Sequence, residues 1–336
     1  MRIIPGLQVV SVSEDTLRIG GPDDGLWISG LSATDQQFIR SLADEPTAPG
    51  EPRDTTRPWP GPGRKDELLA LLAPVVEDPF RLPGALGATL VPDVNAYSTA
   101  YGTPAGQLLR ARSTAMVRVW GLGRCGQAIA ALLAASGVGA LHLHDDLPVG
   151  AGDIGTGPLR LADLGKPRTV ALAHRLGNSW PRTRLARWTP GPDGEGLGAH
   201  VSVVTACDAL PDQLLNHLAS TRVPHLAVVF DPASARIGPL VIPGLTTCLD
   251  CAQARTGRTV RGSRATGRPR AGSSTAELAL STTAAGLAAL QVMMLLDGVN
   301  VPAAADAVLT VDLSTGGIDR VPIEPLPGCT CLVPAA

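Results

Sequence analysis

A chain of 336 residues with 44% hydrophobic side chains can bury two cores, and a formal charge of −2 gives it no general attraction to nucleic acid or to an anionic membrane. The N-terminal run MRIIPGLQVVSVSED lacks the basic-then-apolar order of a signal peptide. The most apolar stretch, Leu278 to Leu296, is interrupted by Ser281, Thr282, Thr283 and Gln291, so a soluble cytoplasmic protein with no membrane span is expected.

In chain order, residues 6–12, 16–20 and 25–29 read as three short strands, with turn chemistry at Asp15 and from Gly20 to Gly25. Ser32 caps a helix with Asp35 as its reciprocal partner, and Phe38, Ile39 and Leu42 form the apolar face. Residues 45–64 are too rich in proline and glycine for regular structure, and a second helix is expected over Asp66 to Glu77. Residues 1–77 thus form a small α+β module, either a capping appendage or a winged-helix-like peptide-binding module. Three strands are too few to close a sheet, so an edge remains. Alternation along Gly25 to Ser29 puts Leu26 and Ile28 on one face and Trp27 on the other. With Leu26 and Ile28 in the core, Trp27 is free to meet an added strand; the alternative is that it packs against residues 78–113. That segment, broken by Pro79, Pro83, Gly84 and Gly87 and with a short helix near 107–112, is expected to connect the module to a domain over 114–336.

The second domain opens with strand, glycine turn, helix and strand from Met116 to Asp146. Gly121, Gly123 and Gly126 make G-x-G-x-x-G: the first permits the tight turn, the second lets backbone approach phosphate, and the third lets helix pack on strand. Asp145, at the end of the second strand, can accept bonds from ribose hydroxyls. These residues predict a Rossmann-like βαβ. A helix then opens at Gly165-Lys166-Pro167-Arg168. Strands follow at 184–188, at 201–206 ending in Cys207 and Asp208, and at 225–230, with a helix over 211–220 and an edge strand over 236–242. The long helix 278–296 and strands 307–313 and 317–323 complete the alternation.

Cys248-x-x-Cys251 and Cys329-x-Cys331 are two tight thiol pairs far apart in sequence. Their meeting in space makes a tetrahedral Zn–S4 site, and four protein ligands leave no open position, so the zinc is structural; free or redox thiols are the alternative. Cys125 and Cys207 read as small buried residues rather than nucleophiles. The run Arg255 to Arg270 has six arginines and no acid, either a solvated loop or an electrostatic clamp for an acidic peptide or phosphates.

The ordered combination of the glycine-loop βαβ, Asp145, Gly-Lys-Pro-Arg, the strand to Asp208, Pro243-Gly244 before the first Cys pair, and the terminal Cys pair resembles the ThiF/MoeB/E1 superfamily from about residue 114 to 331. The resemblance implies a Rossmann-like α/β fold with a mostly parallel sheet, a homodimer, and Mg-ATP-dependent adenylation of the C-terminal carboxylate of a small protein or peptide. It also implies that Gly121, Gly123 and Gly126 line the phosphates and that Asp145 holds the ribose. Arg168 stands in the place of a lysine that contacts phosphates, and Asp208 in that of a magnesium-linked aspartate. Where the family shows Asn-Leu-x-Arg-Gln, this chain has Asp153 for the asparagine and Thr156 for the arginine, which should weaken triphosphate binding. No cysteine lies between Cys251 and Cys329 to act as a thioester nucleophile. Residues 1–77 resemble the recognition elements fused to E1-like proteins of ribosomal-peptide modification. That implies binding of a precursor or leader peptide and its presentation to a partner such as a YcaO-type cyclodehydratase, and the open edge carrying Leu26, Trp27 and Ile28 is where such a peptide is expected to add. An active adenylyltransferase is the alternative, and a nicotinamide or flavin enzyme a third possibility that the thiol pairs and Asp208 disfavour.

Overall fold

The computed structural model describes residues 1–43, 59–77, 89–101, 104–187, 198–210, 212–257 and 276–333. Most of the Arg-rich run, the greater part of the Pro/Gly-rich stretch, and Trp188 lie outside the described residues. The chain divides into two units, Met1–Leu109 and Arg110–Ala336.

In the first unit, β2 (Val9–Ser11), β3 (Leu17–Ile19) and β4 (Leu26–Ile28) form an antiparallel meander in the order β2-β3-β4. Gly6, at φ +89, lies in a turn closed by Leu7 N–H donating to the Ile4 carbonyl at 3.2 Å, and β2 starts only at Val9, later than its apolar run suggests. Helix α1 (Ala33–Ala43) starts on the expected reciprocal cap: Asp35 N–H donates to Ser32 Oγ at 3.1 Å, and Ser32 N–H to Asp35 Oδ2 at 3.0 Å. Leu17, Ile19, Ile28, Phe38, Ile39, Leu68 and Leu72 share one core. Helix α2 (Pro62–Leu71) departs from expectation at both ends. It begins on Pro62, inside the stretch expected to be irregular, because the first turn needs no proline N–H. It stops well before Glu77: after a short turn containing Pro74, β5 (Val76–Glu77) pairs with β1 (Arg2–Ile3), and Arg2 Nη2 reaches Glu77 Oε1 at 2.8 Å. The segment expected only to connect contains α3 (Val91–Tyr101), with α4 (Gly106–Thr114) at the boundary of the units.

The second unit is built on an eight-stranded sheet in the order β13-β12-β11-β10-β9-β6-β7-β8. The parallel strands are β6 (Met116–Trp120), β7 (Ala140–His144), β8 (Arg184–Arg187), β9 (Val201–Cys207) and β10 (His225–Asp231). Antiparallel β11 (Ser234–Val241), β12 (Ala307–Asp312) and β13 (Ile318–Pro322) extend it. Strand β11 is not the expected edge: it is buried throughout and lies between β10 and β12, pairing with β12 over Ser234–Ile237, while Gly238-Pro239 falls beyond that pairing, where the register to β10 shifts.

One face carries Val117, Val119, Leu141, Leu143, Val201 and Val203 in a shared core with α5 (Arg124–Ala135), α6 (Arg168–Ser179) and α9 (Leu278–Asp297). The buried alanines 284, 285, 288 and 289 let α9 lie close to its neighbours. Although α9 is long and apolar enough to cross a bilayer, 50% of its most apolar window is buried within the fold. The other face packs Val204, Ala227 and Val229 against α7 (Asp212–Thr221), with Leu249 of α8 (Leu249–Thr256) in the same core.

Candidate functional site

Chain order along the sheet reverses between β6 and β9, and a crevice opens at such a switch point beyond the carboxyl ends of the strands. The glycine loop lies there. Gly121 has φ +81, and a side chain on it would strike Thr205 of β9. Thr205 Oγ1 donates to the Gly121 carbonyl at 2.8 Å, tying the loop to the adjacent strand. Gly123 is the N-cap of α5, and a methyl group on Gly126 would run into the Gly121 carbonyl, so close packing of helix on turn requires the third glycine.

Asp145 closes β7 with its carboxylate turned inward. Its Oδ2 accepts from Leu122 N–H at 2.7 Å and from Arg168 Nη1 at 3.0 Å, and its Oδ1 from Leu147 N–H at 2.9 Å. Arg168, the first residue of α6, donates through Nε and Nη2 to the two oxygens of Asp153, each at 2.8 Å. Asp153 is fully buried, and Asp145 and Arg168 are each 7% exposed. Burial works against the guanidinium charge, but the two carboxylates outweigh it and hold the Arg168 pKa above the ordinary arginine value. The residues matched to ribose and phosphate contacts are therefore joined to each other in a buried cluster.

The loop after Asp153 is also held from inside. Gln127 of α5 donates to the Asp153 carbonyl at 2.7 Å and accepts from Leu159 N–H at 3.1 Å. Thr156, in the place of the expected arginine, shares a 3.0 Å hydroxyl contact with Thr282 of α9. Asp208 is different: its side chain is exposed, and its backbone sits at φ +65, in the left-handed region that non-glycine residues seldom occupy. Burial, with Cys207 adding to it, pushes the Cys125 thiol up, which leaves it protonated and inert at neutral pH. Neither the closure of Arg168 on Asp153 nor the clamps of Gln127 and Thr205 were foreseen; the unusual acid at 153 was the available signal.

The two thiol pairs meet. Cys248, at the N-cap of α8, and Cys251, in its first turn, face Cys329 and Cys331, and the four sulfurs lie within 4.8 Å of one another. Neighbouring Sγ atoms are separated by 3.7 Å (248–251), 3.8 Å (248–329) and 4.0 Å (251–331). Four sulfurs at the zinc–thiolate length sit about 3.8 Å apart in a tetrahedron, so this donor set fits a tetrahedral metal without rearrangement.

In the first unit Ile28 is buried and Leu26 packs beside it, while Trp27 is 51% exposed with the Arg18 guanidinium 5.8 Å from its ring centroid. The β2 edge of the meander is guarded: Arg40 of α1 donates to Ser11 Oγ at 2.6 Å and reaches the Val9 carbonyl at 3.5 Å. The other edge is β4.

The ThiF family model matches residues 100–333. The chain belongs to the ThiF family. Solved structures similar to this family member include E. coli MccB with MccA-N7isoAsn, at 15% identity, covering 98% of this chain and 99% of that one with a TM-score of 0.66. E. coli MccB with ATP gives 16% identity, 98% of each chain and a TM-score of 0.66. PaaA gives 15% identity, 95% of this chain and 98% of that one, with a TM-score of 0.67. These likenesses establish the α/β fold with its mostly parallel sheet. No curated protein sequence matches the chain.

Proposed function

We propose that this ThiF-family chain is an E1-like protein of peptide modification that captures the leader segment of a precursor peptide and presents it to a partner enzyme. The observation that carries the reading is the β4 edge, where Trp27 stands 51% exposed above an apolar core while Arg40 guards the opposite edge. An extended peptide adding to β4 would gain backbone hydrogen bonds from the edge and side-chain choice from Trp27 and its surroundings. E. coli MccB, similar over 98% of this chain, has been solved in complex with N-formylated MccA, which supports a peptide as ligand. The ATP site is inferred to be degenerate, because Asp145 and Arg168 are engaged internally and Thr156 replaces a phosphate-neutralising arginine. The thiol cluster is assigned a structural zinc, and residues 1–77 the role of the recognition module. A homodimer in the cytoplasm, delivering peptide to a YcaO-type cyclodehydratase, completes the reading on the strength of the superfamily resemblance.

The test is fluorescence polarisation of the full chain with leader peptides encoded beside its gene, together with pyrophosphate exchange in Mg-ATP. Saturable leader binding with exchange near background is expected. If no such leader binds, peptide capture is wrong. The exposed, left-handed Asp208 beside an intact glycine loop favours a second reading, an active adenylyltransferase, as does the existence of a solved MccB complex with ATP. Robust peptide-dependent exchange that vanishes in Asp208→Ala would establish it in place of the first.

A further inference from the structure

The buried cluster beneath the glycine loop contains two carboxylates, Asp145 and Asp153, and one guanidinium, Arg168, a formal sum of −1. Three of the five guanidinium N–H groups point at these carboxylates, and both oxygens of Asp153 are taken by Arg168. Gly150 N–H also donates to Asp153 Oδ2 at 2.8 Å, which fixes the carboxylate from the backbone side. A bidentate guanidinium–carboxylate pair is the geometry that Arg otherwise offers to a phosphate. With Arg168 only 7% exposed, a phosphate approaching the loop finds that guanidinium already engaged in a cluster of net negative charge, and the guanidinium of Arg124 in the loop itself is turned to the Ala276 and Ile154 carbonyls at 3.2 and 3.3 Å.

We propose that Asp153 is an internal counter-anion: it occupies Arg168 in place of a nucleotide phosphate and so sets the site against triphosphates while leaving uncharged nucleosides unpenalised. This rests on the degenerate-site reading above and names the residue responsible. Asp153→Asn keeps the shape, removes one negative charge, and puts an amide N–H against an arginine N–H, which loosens the hold on Arg168.

Calorimetry of the full chain with Mg-ATP and with adenosine tests it. The wild type should bind Mg-ATP weakly, and Asp153→Asn should gain about tenfold or more in Mg-ATP affinity, as removal of one nearby like charge predicts, with no gain for adenosine. An unchanged Mg-ATP affinity, or an equal gain for adenosine, would overturn the proposal and leave the degenerate-site reading intact. Tight Mg-ATP binding by the wild type would instead bring down that reading itself. Should Asp153→Asn not fold, the wild type still decides: the Arg168 Nε–H resonance should exchange slowly and stay in place during a Mg-ATP titration. A shift of that resonance on adding Mg-ATP would show the guanidinium on phosphate and overturn the proposal.

Discussion

Trp27 is flanked by its neighbours rather than buried by them. Leu26 and Ile28 pack into the core on one side of β4, and Arg18, directly across on β3, lies against the indole from the other side. Exposed aromatic anchors of this kind concentrate binding energy, so Trp27→Ala should weaken leader binding by about 2 kcal/mol. The thermal midpoint should hardly move, since the ring is 51% exposed already. Polarisation titration and a melting curve read both numbers, and unchanged leader affinity in a folded variant would remove Trp27 from the contact. Alternation over three residues was enough to read this side chain from the sequence. The glycines were legible for a similar reason, since backbone constraints at Gly121 and Gly126 exclude every other residue. The direction in which Arg168 points was not legible. A guanidinium in sequence carries charge but no orientation, and its choice of Asp153 depends on a loop 15 residues away that Gln127 holds in place.

Elements were read best where the pattern was long and worst where pairing is remote. A two-residue strand such as β1 has no periodicity, and its partner β5 lies 75 residues on at the Arg2–Glu77 pair. Helix α3 was missed because Pro79, Pro83, Gly84 and Gly87 marked the whole segment as irregular, although the helix begins only after them and its own Pro92 lies in the first turn, where proline is acceptable. The most consequential unforeseen tie joins two helix ends: Arg112 of α4 donates to both oxygens of Asp297 at the end of α9, at 2.7 and 2.6 Å, and both side chains are fully buried. Arg112→Ala should cost about 3–5 kcal/mol by leaving Asp297 charged and unpaired. Replacing both together, Arg112→Met with Asp297→Leu, should recover most of that loss, because the pair's attraction is offset by its desolvation. Urea unfolding of the three variants measures the difference, and a double variant as unstable as Arg112→Ala would refute it.

At the scale of the whole second unit, the thiol cluster closes the chain on itself, since Cys248 and Cys251 meet Cys329 and Cys331 some 80 residues later. Metal analysis should find one zinc per chain. Chelation should lower the melting temperature and expose residues around Cys329 to protease, because a metal bound only by the folded form adds its binding free energy to stability. Clearly less than one metal per chain, or two disulfides in its place, would refute the assignment. The spacing of the thiols announced their meeting; the strand order did not announce itself, and it carries a consequence in time. Strands β6 and β7 pair across a short, local α5 crossover, with Val117 opposite Leu141, whereas the β6–β9 pairing, with Val117 opposite Val201, closes a far longer stretch of chain. Local pairings form early and distant ones late, because a long loop must close before the contact is gained. The turn at Gly121 can therefore take shape while the chain is still incomplete, but the Thr205 hydroxyl that grips its carbonyl arrives only when β9 docks. The cradle is assembled from its oldest and youngest contacts, and slowing β9 docking should delay ligand competence without delaying the first βαβ turn, a lag that pulsed hydrogen exchange can time.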